Sequence, residues 1–164
     1  FMYKWTYLPE FVYGSIDGII TTFAIISGSL GANFSVSVIL ILGFANLFAD
    51  GFSMGISNYL SEKSKIKKLK KNPFKTALAT FLSFVIIGFI PLSAFLLSKF
   101  SGFFYLNQII LSIVFTAAAL ILVGYIKGIL LNKNKFYSIM QILLLGIGAS
   151  LIAYGIGYIA KLYI

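Results

Sequence analysis

The chain has no cysteine, no histidine and no arginine, and only four acidic residues and three prolines in 164. The first two absences exclude disulfides, iron–sulfur clusters, haem held by His or Cys, His/Cys zinc sites, and any Ser-His-Asp or Cys-His nucleophile within these residues. A metal handled here must meet carboxylates, amides, hydroxyls, backbone carbonyls or methionine. All 13 basic residues are lysine and the net charge is +9. They cluster between apolar runs, which fits membrane orientation better than a nucleic-acid surface, so no nucleic-acid partner is expected. No acid pair stands beside a nucleophile except Ser53 near Asp50, and no enzyme is expected.

What the chain does have is apolar sequence: 60% hydrophobic residues, 10% charged, and a mean hydropathy of +1.00. Soluble helices bury one stripe, whereas here whole segments are apolar all round. The composition is that of an integral membrane protein. The first apolar run lies deep in polar sequence, and no small-residue cleavage site follows a basic region, so it is expected to be a retained helix rather than a signal peptide.

A spanning helix needs roughly 20 apolar residues. Five segments qualify, at about 11–31, 36–60, 75–97, 106–127 and 137–161, giving an all-α, polytopic, five-helix transmembrane domain over residues 1–164. Pro9 is placed to start the first span. Gly28, Gly31 and Asn33 mark its end and a tight turn. The second span is expected to run on into the lysine-rich stretch after Ser61, until Asn72-Pro73 breaks it. Pro91 is expected to kink the third span, and Ser98–Asn107 to form an interfacial loop. Ala149, Ala153 and Gly157 give the fifth span small-xxx-small spacing, which lets helices approach closely. Packing within the subunit is the expected use of that face, ahead of a dimer seam.

Orientation follows from lysine placement. Lys63, Lys65, Lys67, Lys68, Lys70, Lys71 and Lys75 lie around the second connection. Lys127, Lys133 and Lys135 lie at the fourth, and Lys4 precedes the first span. Only Lys99 and Lys161 fall on the opposite side. The positive-inside rule then puts the N-terminus in the cytoplasm and the C-terminus outside. The run from Lys63 to Lys71 is read first as a topology determinant and second as a contact for anionic lipid headgroups.

Two of the four acids sit where hydrocarbon is expected. Asp17 lies about 10 Å into the first span, and Asp50 about 18 Å from Glu62 along the second. A carboxylate at the centre of a membrane helix costs roughly 2.5–3.5 kcal/mol on insertion scales, so such residues usually face a bundle interior or a water-filled path. Asn46, Asp50 and Met54 follow one another by one turn, and Thr21 follows Asp17 by one turn. Oxygen ligands suit hard divalent ions and a thioether suits softer ones, so the mixture points to a first-row divalent cation. Three plainer roles stay open here. Asp17 could cap a helix that starts late. A protonated Asp50 could hydrogen-bond to Asn46 or Ser53. Met54 could fill core space. Glu10 and Glu62 are read as interfacial and solvated.

The stretch YGSIDGIITTFAIISGSLGA, followed by GFANLFADGFSMGISNYLSEKS, resembles the vacuolar iron transporter family, which also has prokaryotic members. Asp17-Gly18, Gly28–Ala32 and Ser53–Gly55 carry the likeness, which is dense over residues 13–64 and looser beyond. The resemblance implies a homodimer whose first two helices line a path at the dimer interface. It also implies proton-coupled export of Fe(II) from the cytosol, with Asp17 and Met54 on the path. Many members carry a glutamate at the position of Asn46; here a carboxylate comes one turn later, as Asp50. Some members carry a glutamate-rich cytoplasmic domain between the second and third helices, where this chain has a short lysine-rich connection that would repel Fe(II). A separate or fused metal-binding domain is therefore an expected partner. A chain that begins at Phe1 is expected to be a piece of such a fusion.

The resulting expectation is a divalent-metal transporter of a prokaryotic plasma membrane, with Fe(II) first and Mn(II) second as substrate and no permanently bound cofactor. Asp17, Asp50, Met54 and Asn46 are the candidate metal ligands, and Asp17, Asp50, Thr21 and Ser53 the path-lining or coupling residues. The alternative is a non-transporting membrane scaffold or accessory subunit that keeps the fold.

Overall fold

A computed structural model describes residues 6–66 and 71–163. Five helices run through them: α1 (Leu8–Gly31), α2 (Val36–Lys63), α3 (Pro73–Leu97), α4 (Gly102–Leu130) and α5 (Lys135–Tyr163). All five are long and apolar enough to cross a bilayer. The chain is an all-α integral membrane protein, and among the described residues there is no strand.

The helix ends follow from local chemistry. Pro9 sits in the first turn of α1, where its missing N–H is not needed. Beyond Gly31 the chain reverses through Asn33, whose φ of 60° is a left-handed value that asparagine tolerates better than most residues. The Phe34 N–H then reaches back to the Ser29 carbonyl at 2.9 Å and closes the turn. Asn72 ends one connection and starts the next helix: its side chain accepts from the Lys75 N–H at 3.1 Å, with Pro73 in the first turn. Asn134 does the same for α5, accepting from the Phe136 N–H at 2.9 Å.

Two expectations are corrected. Residues 102–107 are not loop; α4 already begins at Gly102. Ser101 is extended just before it, nothing from Phe103 to Asn107 breaks a helix, and the Asn107 side chain donates to the Phe103 carbonyl. Nor does α2 run on through the lysine-rich stretch, because it ends at Lys63 with Ser64 as its cap. Pro91 lies inside a continuous α3, and its carbonyl accepts a hydrogen bond from the Ser112 hydroxyl on α4 at 2.8 Å.

α1 is the central helix. It packs mainly on α3 and α5 and also touches α2 and α4, while α2 rests on α3, and α4 lies against α3 and α5. Lipid tails are as apolar as leucine, so these contacts depend on close van der Waals packing rather than on exclusion of water. Small residues make that packing available. A methyl on Gly18 would stand 2.5 Å from the Phe84 carbonyl oxygen, and one on Gly88 would stand 2.8 Å from the Gly18 backbone. At the other end of α1, Gly157 meets the Gly28 carbonyl, and Ala153 lies beside Gly28. The small-residue face of α5 thus serves packing within the subunit. Ile26, Leu47, Phe84, Leu92 and Phe95 fill the space among α1, α2 and α3, and Val12, Ile19, Leu120, Val123 and Ile142 that among α1, α4 and α5.

Gly18→Ala is expected to lower the thermal midpoint of the detergent-solubilised protein, by an overpacking cost of about 1–3 kcal/mol. Gly155→Ala, where nothing lies within 4 Å of the added carbon, is expected to leave it unchanged. Equal midpoints for the two variants would show that the α1–α3 approach is not the tight contact described.

Candidate functional site

Asp17 and Asp50 stand at the same depth on neighbouring antiparallel helices. Asp17 is about 21 Å from the Gly31 end of α1, and Asp50 about 21 Å from the Val36 start of α2, at 1.5 Å per residue. The turn between the helices is only residues 32–35, so equal distance from it means equal height in the bundle. Both side chains are half-buried, and the Asp17 carboxylate is close enough to feel the charge of Asp50. Neither has a lysine partner; the ion pairs among the described residues are Lys65–Glu62 and Lys71–Glu10.

The surrounding side chains sort by what they touch. Asn46 and Met54 are half-buried on the same face of α2 as Asp50, one turn to either side. The Asn46 Nδ2 is buried without a hydrogen-bond partner. Met54 packs against the cluster that contains Ile26, Leu47 and Phe84, so it fills core space as well as flanking Asp50. The Thr21 hydroxyl donates to the Asp17 carbonyl at 2.8 Å, back into its own helix. Ser53 is exposed on the outer side of α2.

Two of the plainer roles do not match this geometry. α1 begins at Leu8 and its cap position is Tyr7, which leaves Asp17 in the third turn and far from any cap. Asp50 makes no hydrogen bond to Asn46 or Ser53 among the described residues. These residues hold no cluster of three or more Asp, Glu, His or Cys. Asp17, Asp50, Asn46 and Met54 offer two carboxylates, an amide and a thioether, donor types that a first-row divalent ion accepts.

The expectation that Glu10 and Glu62 are solvated is corrected. Glu62 is 1% exposed at the end of α2. One of its oxygens accepts from Lys65 Nζ at 2.6 Å and the other from the Lys71 backbone N–H. Glu10 pairs with Lys71 Nζ at 2.7 Å. Lys65 and Lys71 thus each pair with a glutamate of the protein. Lys63 is exposed, 5.6 Å from the centre of the Tyr59 ring. Lys67, Lys68 and Lys70 lie outside the described residues. Asn58, whose Nδ2 donates to Thr80 Oγ1 at 2.6 Å, is not among the residues picked out by sequence, although it stands one turn beyond Met54. Continuing the four-residue spacing along α2 reaches it, and then Glu62.

Two facing carboxylates without a cation repel, and that repulsion acts against the fold. In metal-free buffer Asp17→Asn is expected to melt about 2–4 °C above the unsubstituted chain, the shift that roughly 1 kcal/mol produces at this size. Mn(II) is expected to stabilise the unsubstituted chain and not the variant. A variant that melts lower without metal, and still gains stability with it, would show that the two acids do not share a site.

The sequence profile of the VIT family matches residues 8–71 and 62–158. Over 60 residues the chain is 48% identical to a vacuolar iron transporter of Plasmodium berghei (strain Anka), a stretch that is 37% of this chain and 22% of that protein. It is 47% identical over 55 residues to a vacuolar iron transporter of Toxoplasma gondii (strain ATCC 50861 / VEG), covering 34% of this chain and 18% of that one. These alignments thus span about a fifth of the relatives' length. Against vacuolar iron transporter 1 of Tulipa gesneriana the identity is 25% over 210 positions, covering 88% of this chain and 83% of the relative. With nearly all the described residues matched by one family profile, the chain belongs to the VIT family.

Proposed function

We propose that this chain carries a divalent transition metal across a membrane, Fe(II) first and Mn(II) second, by exchange with protons. The observation that carries the reading is the pair of level, unpartnered carboxylates, Asp17 and Asp50, at mid-span. A buried charge without a counter-ion is costly, and at this depth either a proton or a metal ion relieves it. A site that takes one or the other, and not both, couples the two movements. Asn46 and Met54 supply neutral ligands, and the iron named for the relatives fits an oxygen-rich set with one thioether.

The small residues exposed on α2 support a dimer whose seam runs along that helix. Ala45, Ala49, Ser53 and Ser57 are exposed on α2, next to half-buried Asn46 and Asp50. Hydroxyls and an acid are poor lipid contacts, whereas small residues let a second copy come close. Lysine placement supports an N-terminus in the cytoplasm, and export from the cytosol across a plasma membrane is the direction proposed. The rival reading, a scaffold that keeps the fold without transport, predicts no metal dependence in flux or stability.

In proteoliposomes with an imposed pH gradient, Fe(II) flux is expected for the unsubstituted chain and is expected to be lost in Asp17→Asn and in Asp50→Asn, both still folded. Full flux in both variants would sink the reading. Flux that ignores the gradient would leave a channel in place of a carrier. Because the chain has no cysteine, Ser53→Cys reports the seam directly: oxidation is expected to link two copies, while Ile152→Cys, exposed on α5, stays single. Linkage of neither, or of both equally, would remove α2 as the seam.

A further inference from the structure

The ridge on α2 does not stop at Met54. Asn58 and Glu62 follow at the same four-residue spacing, so a row that winds round the helix, Asp50, Met54, Asn58 and Glu62, leads to its end. On α1, Glu10 lies two turns before Asp17 and on the same side. Both lines end at one residue, Lys71, in the described part of the connection into α3. Its ammonium is 2.7 Å from Glu10 Oε1, with the Glu10 side chain 12% and the lysine side chain 28% exposed. Its backbone N–H is donated to Glu62, which is 1% exposed. α1 and α2 touch each other far less than either touches α3, so this residue is the polar tie between them at that end.

We propose that Lys71 is a tethered cation that closes this end of the path, and that metal passes only when its ammonium swings away from Glu10. This rests on the transport reading, which supplies the path. The physical grounds are charge and reach. Glu10 is largely out of water and needs a counter-ion, and Lys71 provides one while no metal is there. A fixed positive charge at a narrow mouth raises the potential against an incoming divalent cation. Lysine carries its charge on a flexible four-carbon stem, so it can leave and return without moving a helix. Lys71 thus acts as a plug at this end of the path.

The test uses the absence of cysteine from these 164 residues. Asn58→Cys, between the mouth and Met54, is labelled with a membrane-impermeant maleimide added from the side of the α2–α3 connection. Adding Lys71→Met, or separately Glu10→Gln, is expected to raise the labelling rate several-fold, while Lys71→Arg leaves it unchanged. Unchanged labelling in both Lys71→Met and Glu10→Gln overturns the proposal. So does the same increase in Lys71→Arg, which would mark a general loosening and not a lost counter-ion. If Lys71→Met does not fold, Glu10→Gln and Lys71→Arg decide alone. In flux measurements Lys71→Met is expected to lower the half-saturating Fe(II) concentration several-fold, and Lys71→Arg to keep it. A chain that carries no metal, yet shows the labelling pattern, would defeat the transport reading and leave the plug standing.

Discussion

The bundle depends on how closely α1 can approach α3 and α5. In lipid there is little to gain from burying leucine against leucine, so helices stay together where their backbones can come within van der Waals contact along a length of chain. α1 does this on two sides, through Gly18 against Phe84 and Gly88, and through Gly28 against Ala153 and Gly157. A central helix held in this way cannot rotate without driving carbonyls into neighbouring backbone. Its polar side chains are therefore held at set heights and directions, Asp17 among them. α2 rests on α3 and leaves its other side uncovered. The half-covered α2 thus leaves Ser53 and Ser57 exposed beside half-buried Asn46 and Asp50, among apolar side chains such as Phe48 and Phe52.

The four acids divide into two pairs that solve the same electrostatic problem differently. Glu10 and Glu62, at the end of the bundle, are neutralised by Lys71 and Lys65 on the adjoining connection. Removing one partner of such a pair would leave a charge stranded in a poorly solvated place. Asp17 and Asp50, at mid-depth, have each other and no lysine. The first pair is a completed interaction and adds to the structure. The second is incomplete, and incomplete charge compensation inside a membrane protein is what a path for cations or protons requires.

Much of this is legible in the amino-acid sequence. Five spans follow from hydropathy, since a run of about 20 apolar residues has few alternatives in a bilayer. Asp17, Asp50, Asn46 and Met54 stand out because a helix has a fixed period and ligand-type residues recur on it. The turn at Asn33 and the start of α3 at Asn72-Pro73 are local chemistry and can be read locally. Where the sequence misleads, the reason is specific. A loop over Ser98–Asn107 weighs an aromatic cluster above the lack of any breaker from Phe103 onward. Solvated Glu10 and Glu62 are placed correctly near the ends of their helices, but their burial depends on Lys71, 61 residues from Glu10 in the chain.

The sequence by itself determined that this is a five-helix membrane protein with two acids in its apolar interior, because length, hydropathy and helical period are properties of single segments. Only the tertiary structure decided which charges are satisfied. Equal distances from a four-residue turn bring Asp17 and Asp50 level, and Lys71, just before α3, meets Glu10 and Glu62. Charge compensation acts between side chains close in space, over a few ångströms in a low-dielectric medium. No local pattern in the chain encodes that proximity.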